Sequence, residues 1–327
     1  MIQTFEEYQT QRYEKLEPEF LNKSSAFFSE NLSTIRKNFL EEMKLAMKNA
    51  HDVQKSEGTI CAYISVSFLN TSVVENKPAL QIDFYNEEWV YGESFSRSRM
   101  SADFLLKYWE EFVSDALDEK FYIRSKISKV EIKSLFWGTL DKLVYIFACY
   151  LKYFAYRLTY YKEFDELNKA ENFYVTFGTY LDWQEKVFAR LPEIDLLNPD
   201  ANEDTTFRPV TKKFYRRKNF QDLNLRGCSF EECTFDNFVF SNVDLADARF
   251  FKCRFTSTEF TGAKFAGGDF FECYLKDCSF KNCTSNPADV SEDEYFAPFR
   301  MYHCFLLNTN FADCDFAQLK KIDCLEK

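Results

Sequence analysis

Residues 221–283 read QDLNLRGCSF EECTFDNFVF SNVDLADARF FKCRFTSTEF TGAKFAGGDF FECYLKDCSF KNC, and a large apolar residue returns in them at every fifth position. Leu225 and Phe230 open that series and Leu275 and Phe280 close it, with no miss between them. Two residues before each centre comes a second, mostly smaller set, among them Cys228, Cys233, Ala248, Cys253, Gly268 and Cys273. The other three of each five are mostly polar. A period of five fits neither a helix, with about 3.6 residues per turn, nor a strand that alternates its faces. It implies a chain that turns a corner every five residues and stacks on itself, which is a solenoid.

Small residue, polar residue, central Leu or Phe, then two polar residues is the order in which the pentapeptide-repeat proteins run, and the stretch resembles them. The resemblance implies a right-handed quadrilateral β-helix, four pentapeptides to the turn, with the central residue and the one two before it pointing inward. It covers about a third of the chain and carries a fold, not a site. Residues one turn apart then stack at the inter-strand spacing of about 4.8 Å. Phe230, Phe250 and Phe270 form one interior column, Phe240, Phe260 and Phe280 another, and Cys233, Cys253 and Cys273 a third. The cysteine spacing would suit a disulfide, whose Cα atoms lie about 4.4–6.8 Å apart. It is also simply the spacing of the coil, and no His accompanies it. Buried free thiols are expected, with no metal and no cofactor.

Outside the coil, Glu232, Lys252 and Glu272 alternate along one edge, which favours pairing across coils. Phe251 and Phe271 sit one residue after a centre, where polar residues dominate, and make an outward apolar patch. The patch is expected to be covered by another part of the chain or, less favoured, by a partner. Phe251 and Phe271 are therefore candidate partner-binding residues. So is the basic run Lys212, Lys213, Arg216, Arg217 and Lys218, which could meet an anionic partner but reads better as a cap over the open first coil.

Outward from the repeats, the breaker-rich acidic stretch from Pro192 to Pro209 is the natural domain boundary. The fold class expected is α+β in two domains. Residues 1–195 form an α-rich domain with a small β-hairpin, 196–218 a linker and basic cap, and 219–327 the β-helix. The period breaks at Ser285, and 285–303 reads as an insertion with Pro287, Pro298 and the acidic Glu292-Asp293-Glu294. It resumes out of frame at Leu306, Phe311 and Phe316 and ends at Lys321, for about four coils. In the first domain, residues 1–57 read as helical: Leu32, Ile35, Phe39, Met43, Ala46, Met47 and Ala50 make a stripe, Ser33 lies near a plausible start and Gly58 is a stop. Residues 60–68 and 80–84 alternate as a hairpin. Further helices are expected over 104–117, 130–161 and 181–191.

Composition narrows the function. A chain of 327 residues suits two domains, and its 38 Phe are explained in part by the repeat core. A net charge of −11 disfavours direct binding of nucleic acid. The first residues show no apolar leader, and the most apolar window, 135–161, carries Asp141, Lys142, Lys152 and Arg157, so no membrane span is expected. Eleven cysteines in such a chain read as reduced, and a cytoplasmic, bacterial location is expected. His51 and His303 read as surface residues and Asp141 as a local ion-pair partner of Lys142 or Lys152. No phosphate loop, dinucleotide fingerprint or hydrolase elbow occurs, and no catalytic residue is assigned.

The function expected is a non-enzymatic binding or scaffold protein that mediates protein–protein interaction, with a homodimer left open. The resemblance brings an alternative, since quinolone-resistance members are taken to imitate duplex DNA and modulate type II topoisomerases. That needs a long rod with continuous negative rows. Residues 219–283 hold ten acidic and seven basic residues in mixed rows, and four coils span only about 19 Å. A third reading places an enzyme or enzyme accessory site in the N-terminal domain.

Overall fold

Helix begins at Thr4. Its hydroxyl accepts the Glu7 N–H at 3.1 Å while the Glu7 carboxylate accepts the Thr4 N–H at 3.3 Å, a capping box that satisfies two donors of the first turn. The helix then runs through Phe5–Tyr8, a π-helical turn Gln9–Tyr13 and the long segment Glu14–Glu57. It stops at Gly58, whose φ of 72° is the left-handed conformation that suits glycine. Helix thus runs through the 1–57 region where it is expected, and only the start signal at Ser33 is superseded: buried Leu16, Phe20, Leu21 and Phe28 carry the apolar stripe upstream of it.

The computed structural model describes residues 2–122, 126–200, 202–285, 299–316 and 319–327. It falls into two units, Met1–Ala170 with Tyr174–Val187, and Glu171–Phe173 with Phe188–Lys327. Most of the expected insertion, including Pro287, Pro298 and Glu292-Asp293-Glu294, lies outside the described residues.

The first unit is built on a five-stranded sheet, with β1 Cys61–Phe68, β2 Ala79–Tyr85, β3 Ser96–Ser101, β4 Lys169–Thr179 and β5 Gln184–Arg190 in the order β3-β2-β1-β4-β5. β1 pairs antiparallel with β2 and parallel with β4. Ile64, Val66, Phe68, Leu80, Ile82, Phe84, Val175 and Phe177 are buried. Phe177 meets Phe147 of the helix Lys129–Lys152 at 5.4 Å, and Phe147 meets Phe28 of the long helix at 5.5 Å. The alternate residues Ser65, Ser67, Gln81, Asp83 and Thr176 are buried too, and hydrogen bonds satisfy them. Trp89 Nε1 donates to Ser65 Oγ, Gln184 Nε2 to Ser67 Oγ, and Arg97 Nε to Asp83.

Four expectations for this unit are corrected. The helix expected over 181–191 is strand β5. Leu181 takes a left-handed φ of 57°, and Thr179 N–H bonds the Trp183 carbonyl at 3.0 Å, turning the chain back beside β4. Gly178 permits this, because a Cβ there would stand 2.1 Å from the Trp183 oxygen. The helix expected over 104–117 is confined to Trp109–Ala116, and that over 130–161 to Lys129–Lys152, followed by a 3-10 segment Ala155–Tyr160. Asp141 is bonded by Thr179 Oγ1 at 3.0 Å and Trp183 Nε1 at 3.4 Å, while Lys142 pairs with Glu17 and Lys152 with Glu185. Among the described residues no helix is long and apolar enough to cross a membrane.

In the second unit parallel three-residue strands stack into three sheets of six, six and five strands, and single bridges make a fourth side. The coil starts earlier than the expected residue 219, since Pro209–Thr211 and Phe214–Arg216 already pair with the strands one turn on. It also runs past the expected end: Lys321 pairs with Met301, and Leu325 with Phe305. Leu196 is buried in the coil's core, with Ile194 and Leu197 packed against it.

The break at Ser285 has a packing cause. Ser285 occupies a central position, 5% exposed, and its Oγ has no hydrogen-bond partner. The space a large side chain would take is filled by Phe299, fully buried, whose ring stacks on Phe265 at 4.6 Å and lies 5.2 Å from Phe316. Restoring the repeat with Ser285→Leu is therefore expected to overpack this end and destabilise by about 1–3 kcal/mol. Thermal unfolding checks it, and a gain in stability would refute this account of the break.

Candidate interaction face

The corners of the coil are backbone features first. Two residues after each centre the chain adopts a left-handed φ near 50°, as at Lys212 (54°), Glu232 (52°), Lys252 (53°), Glu272 (52°) and His303 (51°). Asn, Asp and Gly tolerate this conformation best. Each corner N–H donates to the carbonyl one turn on, Glu232 to Phe251, Lys252 to Phe271 and Glu272 to Tyr302, all at 2.9 Å. The corner side chains consequently stand in line.

One corner carries basic and acidic residues in turn, Lys212, Glu232, Lys252, Glu272, His303 and Asp323. Lys212 and Glu232 approach to 3.6 Å, Lys252 and Glu272 to 3.7 Å, and His303 and Asp323 to 3.9 Å. Every one of these side chains is more than 40% exposed, so each pair adds little to stability, on the order of 0–1 kcal/mol.

Beside this corner runs the apolar row. Phe251 pairs in register with Phe271, Phe271 with Tyr302, and Tyr302 with Ile322. The Phe251 and Phe271 rings stack at 5.5 Å and 22°, and Tyr302 lies 6.2 Å from Phe271. Both phenylalanines are half-buried and Ile322 is 37% exposed. Lys252 lies 4.8 Å over the Phe251 ring, and the His303 ring meets Phe271 edge-on at 5.8 Å.

The basic run is divided among different slots. Lys212 heads the alternating corner, Arg216 follows the centre Tyr215 and pairs with Asp236 at 2.9 Å, and Arg217 forms the next corner. Lys213 and Lys218 stand two residues before centres, in inward-type slots, yet both are exposed: at this first coil their stems reach out to water. Lys213 pairs with Glu193 at 3.1 Å and thereby holds that carboxyl below its usual pKa. The run is not gathered into one patch with Phe251 and Phe271; of its residues, Lys212 alone belongs to the corner beside them.

Among the described residues the coil interior is lined by apolar side chains and thiols. Cys233, Cys253, Cys273, Cys304 and Cys324 form one column, and each thiol donates to a carbonyl of the preceding coil: Val210, Phe230, Phe250, Phe270 and Met301, at 3.2–3.4 Å. All eleven cysteines are thiols, outside any disulfide. Burial pushes Cys228 up to about 12 and Cys278 to about 11, which keeps them as thiols rather than nucleophilic thiolates. Among the described residues no cluster of His, Cys, Asp or Glu has the geometry for a metal ion.

Residues 219–256 and 239–277 match the family described as pentapeptide repeats, in eight copies. This segment is a run of pentapeptide repeats. Among solved structures the chain is similar to a pentapeptide repeat protein, Rfr23, from the cyanobacterium Cyanothece 51142, with 9% identity over 37% of this chain and 90% of that one and a TM-score of 0.19. It is also similar to QnrB1, a plasmid-mediated fluoroquinolone resistance protein, with 13% identity over 42% and 89% and a TM-score of 0.13. No curated protein matches the chain.

The pentapeptide repeats continue beyond the matched segment on both sides, and this hid two members of the apolar row. Tyr302 follows Phe271 by 31 residues instead of twenty, and Ile322 follows Tyr302. The signal that would have found them is Met301 read as a repeat centre, with Tyr302 next to it.

Proposed function

We propose that this chain is a non-enzymatic binding or scaffold protein, and that the side of its coil carrying Phe251 and Phe271 is the contact surface. The observation that carries this is the outward row Phe251, Phe271, Tyr302 and Ile322, four apolar side chains in register on a rigid parallel sheet. Aromatic side chains held rigidly lose little entropy on contact, and stacked outward rings are characteristic of interaction surfaces. The partner is a protein surface.

The alternative as a DNA mimic acting on a type II topoisomerase is less well supported. Such mimicry needs unbroken negative rows, and the corner beside the aromatics alternates Lys with Glu instead. The enzyme reading finds little support in Asp141, which Thr179 and Trp183 engage.

The test is capture of partners from the native host by the immobilised full chain and by Phe251→Ser/Phe271→Ser. Partners held by the parent and lost by a folded variant are expected. Equal capture by both would overturn the assignment of this face.

A further inference from the structure

The interaction face is its own complement. Resting on the reading of this face as a contact surface, we infer that it binds a second copy of the same chain. The two copies lie antiparallel, about a two-fold axis between the coils of Lys252 and Glu272.

A row of even length that alternates basic with acidic residues, turned end for end, places a basic residue against an acidic one at every contact, with full opposite charges at the Lys252–Glu272 and Lys212–Asp323 contacts. Lys252 of one copy meets Glu272 of the other, Glu232 meets His303, and Lys212 meets Asp323. Each contact occurs twice. Shifting the register by one coil sets Lys against Lys and Glu against Glu, so the charges select the full overlap. The same rotation brings Phe251 onto Phe271 of the second copy, and two pairs of rings meet at the centre of the face. Centrally placed aromatics inside a polar rim are the arrangement that contributes most to association.

The backbone supplies an independent reason to read this corner as functional. Between Pro209 and Asp323 the left-handed positions of the other corners are Asn, Asp, Ser or Gly at every described place except Arg217. The alternating corner instead keeps Lys, Glu, Lys, Glu and His there, with Asp only at its last place. Long side chains are disfavoured in this conformation. Their exposed pairs return little stability, so folding alone does not account for the choice. Local rules are broken in this way where a surface serves recognition.

Six stacked strands give a face about 24 Å long, which buries less than the about 800 Å² per partner of a standard interface. The association is accordingly weak, with a dissociation constant on the order of 10–100 µM, and it weakens with added salt.

Sedimentation velocity of the full chain across the micromolar range at low salt tests this, with circular dichroism confirming that each variant folds. The parent is expected to approach a dimer as concentration rises. K252E sets carboxylates against carboxylates at the axis and E272K sets ammoniums against ammoniums, so each alone is expected to associate at least about tenfold more weakly. An equimolar mixture of K252E and E272K makes every axial contact complementary again and is expected to sediment as a heterodimer. A role confined within one molecule would not produce that rescue. A parent that stays monomeric, or a mixture that does not associate, overturns the self-pairing. Capture of a different protein that depends on Phe251 and Phe271 would then still uphold the binding face, whereas loss of both would end both readings.

Discussion

Phe255→Ala is expected to destabilise the coil by about 3–5 kcal/mol. Phe255 is fully buried and stacks on Phe235 at 5.0 Å and 6°; it also touches Phe250, Phe260 and Phe270 with ring centroids 5.5–5.7 Å apart. Removing the ring leaves a void that the coil cannot close, because the spacing on either side is fixed by backbone hydrogen bonds. Arg254 N–H to the Cys233 carbonyl and Tyr274 N–H to the Cys253 carbonyl are both 2.9 Å. Leu275 is the next residue of that column, so Phe255→Leu ought to cost less than about 1.5 kcal/mol. Denaturant unfolding followed by far-ultraviolet dichroism measures both. An alanine variant as stable as the parent would mean that the column is not the packed core described.

Arg97→Met is the second large effect, in the first unit. The Asp83 side chain is 1% exposed, and its carboxylate accepts Arg97 Nε at 2.6 Å and Gln81 Nε2 at 2.7 Å. Without the guanidinium a buried charge loses its counter-ion, which costs about 3–5 kcal/mol. The reverse deletion is milder, since the Arg97 side chain is 49% exposed and water can solvate it. Adding Asp83→Leu to Arg97→Met should therefore recover most of the loss, as apolar replacement of a whole buried pair is often neutral. Thermal unfolding of the two single variants and the double variant decides this. A double variant less stable than Arg97→Met alone would show that Asp83 contributes through something other than this pair.

These two sites also mark how far the sequence could be read. The column of Phe255 was legible because a strict period of five leaves one arrangement for its apolar residues. The strands at Val210 and Tyr215 precede the expected start at 219 although both lie in the same frame, because Lys213 stands in a slot that small residues fill elsewhere in the repeats. Tyr302 and Ile322 were missed because Phe299 replaces the side chain due at Ser285 and an insertion shifts the frame. In the first unit, Ser65, Ser67, Gln81 and Asp83 alternate with apolar residues, a pattern that marks the strands but not what meets their polar side. They are buried and satisfied by Trp89, Gln184 and Arg97, which come from sequence-distant segments that no local pattern announces. Strand β5 was read as a helix because the turn at Leu181 depends on the absence of a side chain at Gly178.

The central claim is that the coil's inward rings hold it together while its outward rings are there for contact. Equilibrium unfolding of Phe251→Ser/Phe271→Ser beside Phe255→Ala tests it most directly. The account predicts a loss of no more than about 1 kcal/mol for the outward pair, against about 3–5 kcal/mol for the single inward ring. An outward variant that loses as much as Phe255→Ala, or fails to fold, would contradict it and make Phe251 and Phe271 part of the chain's own packing.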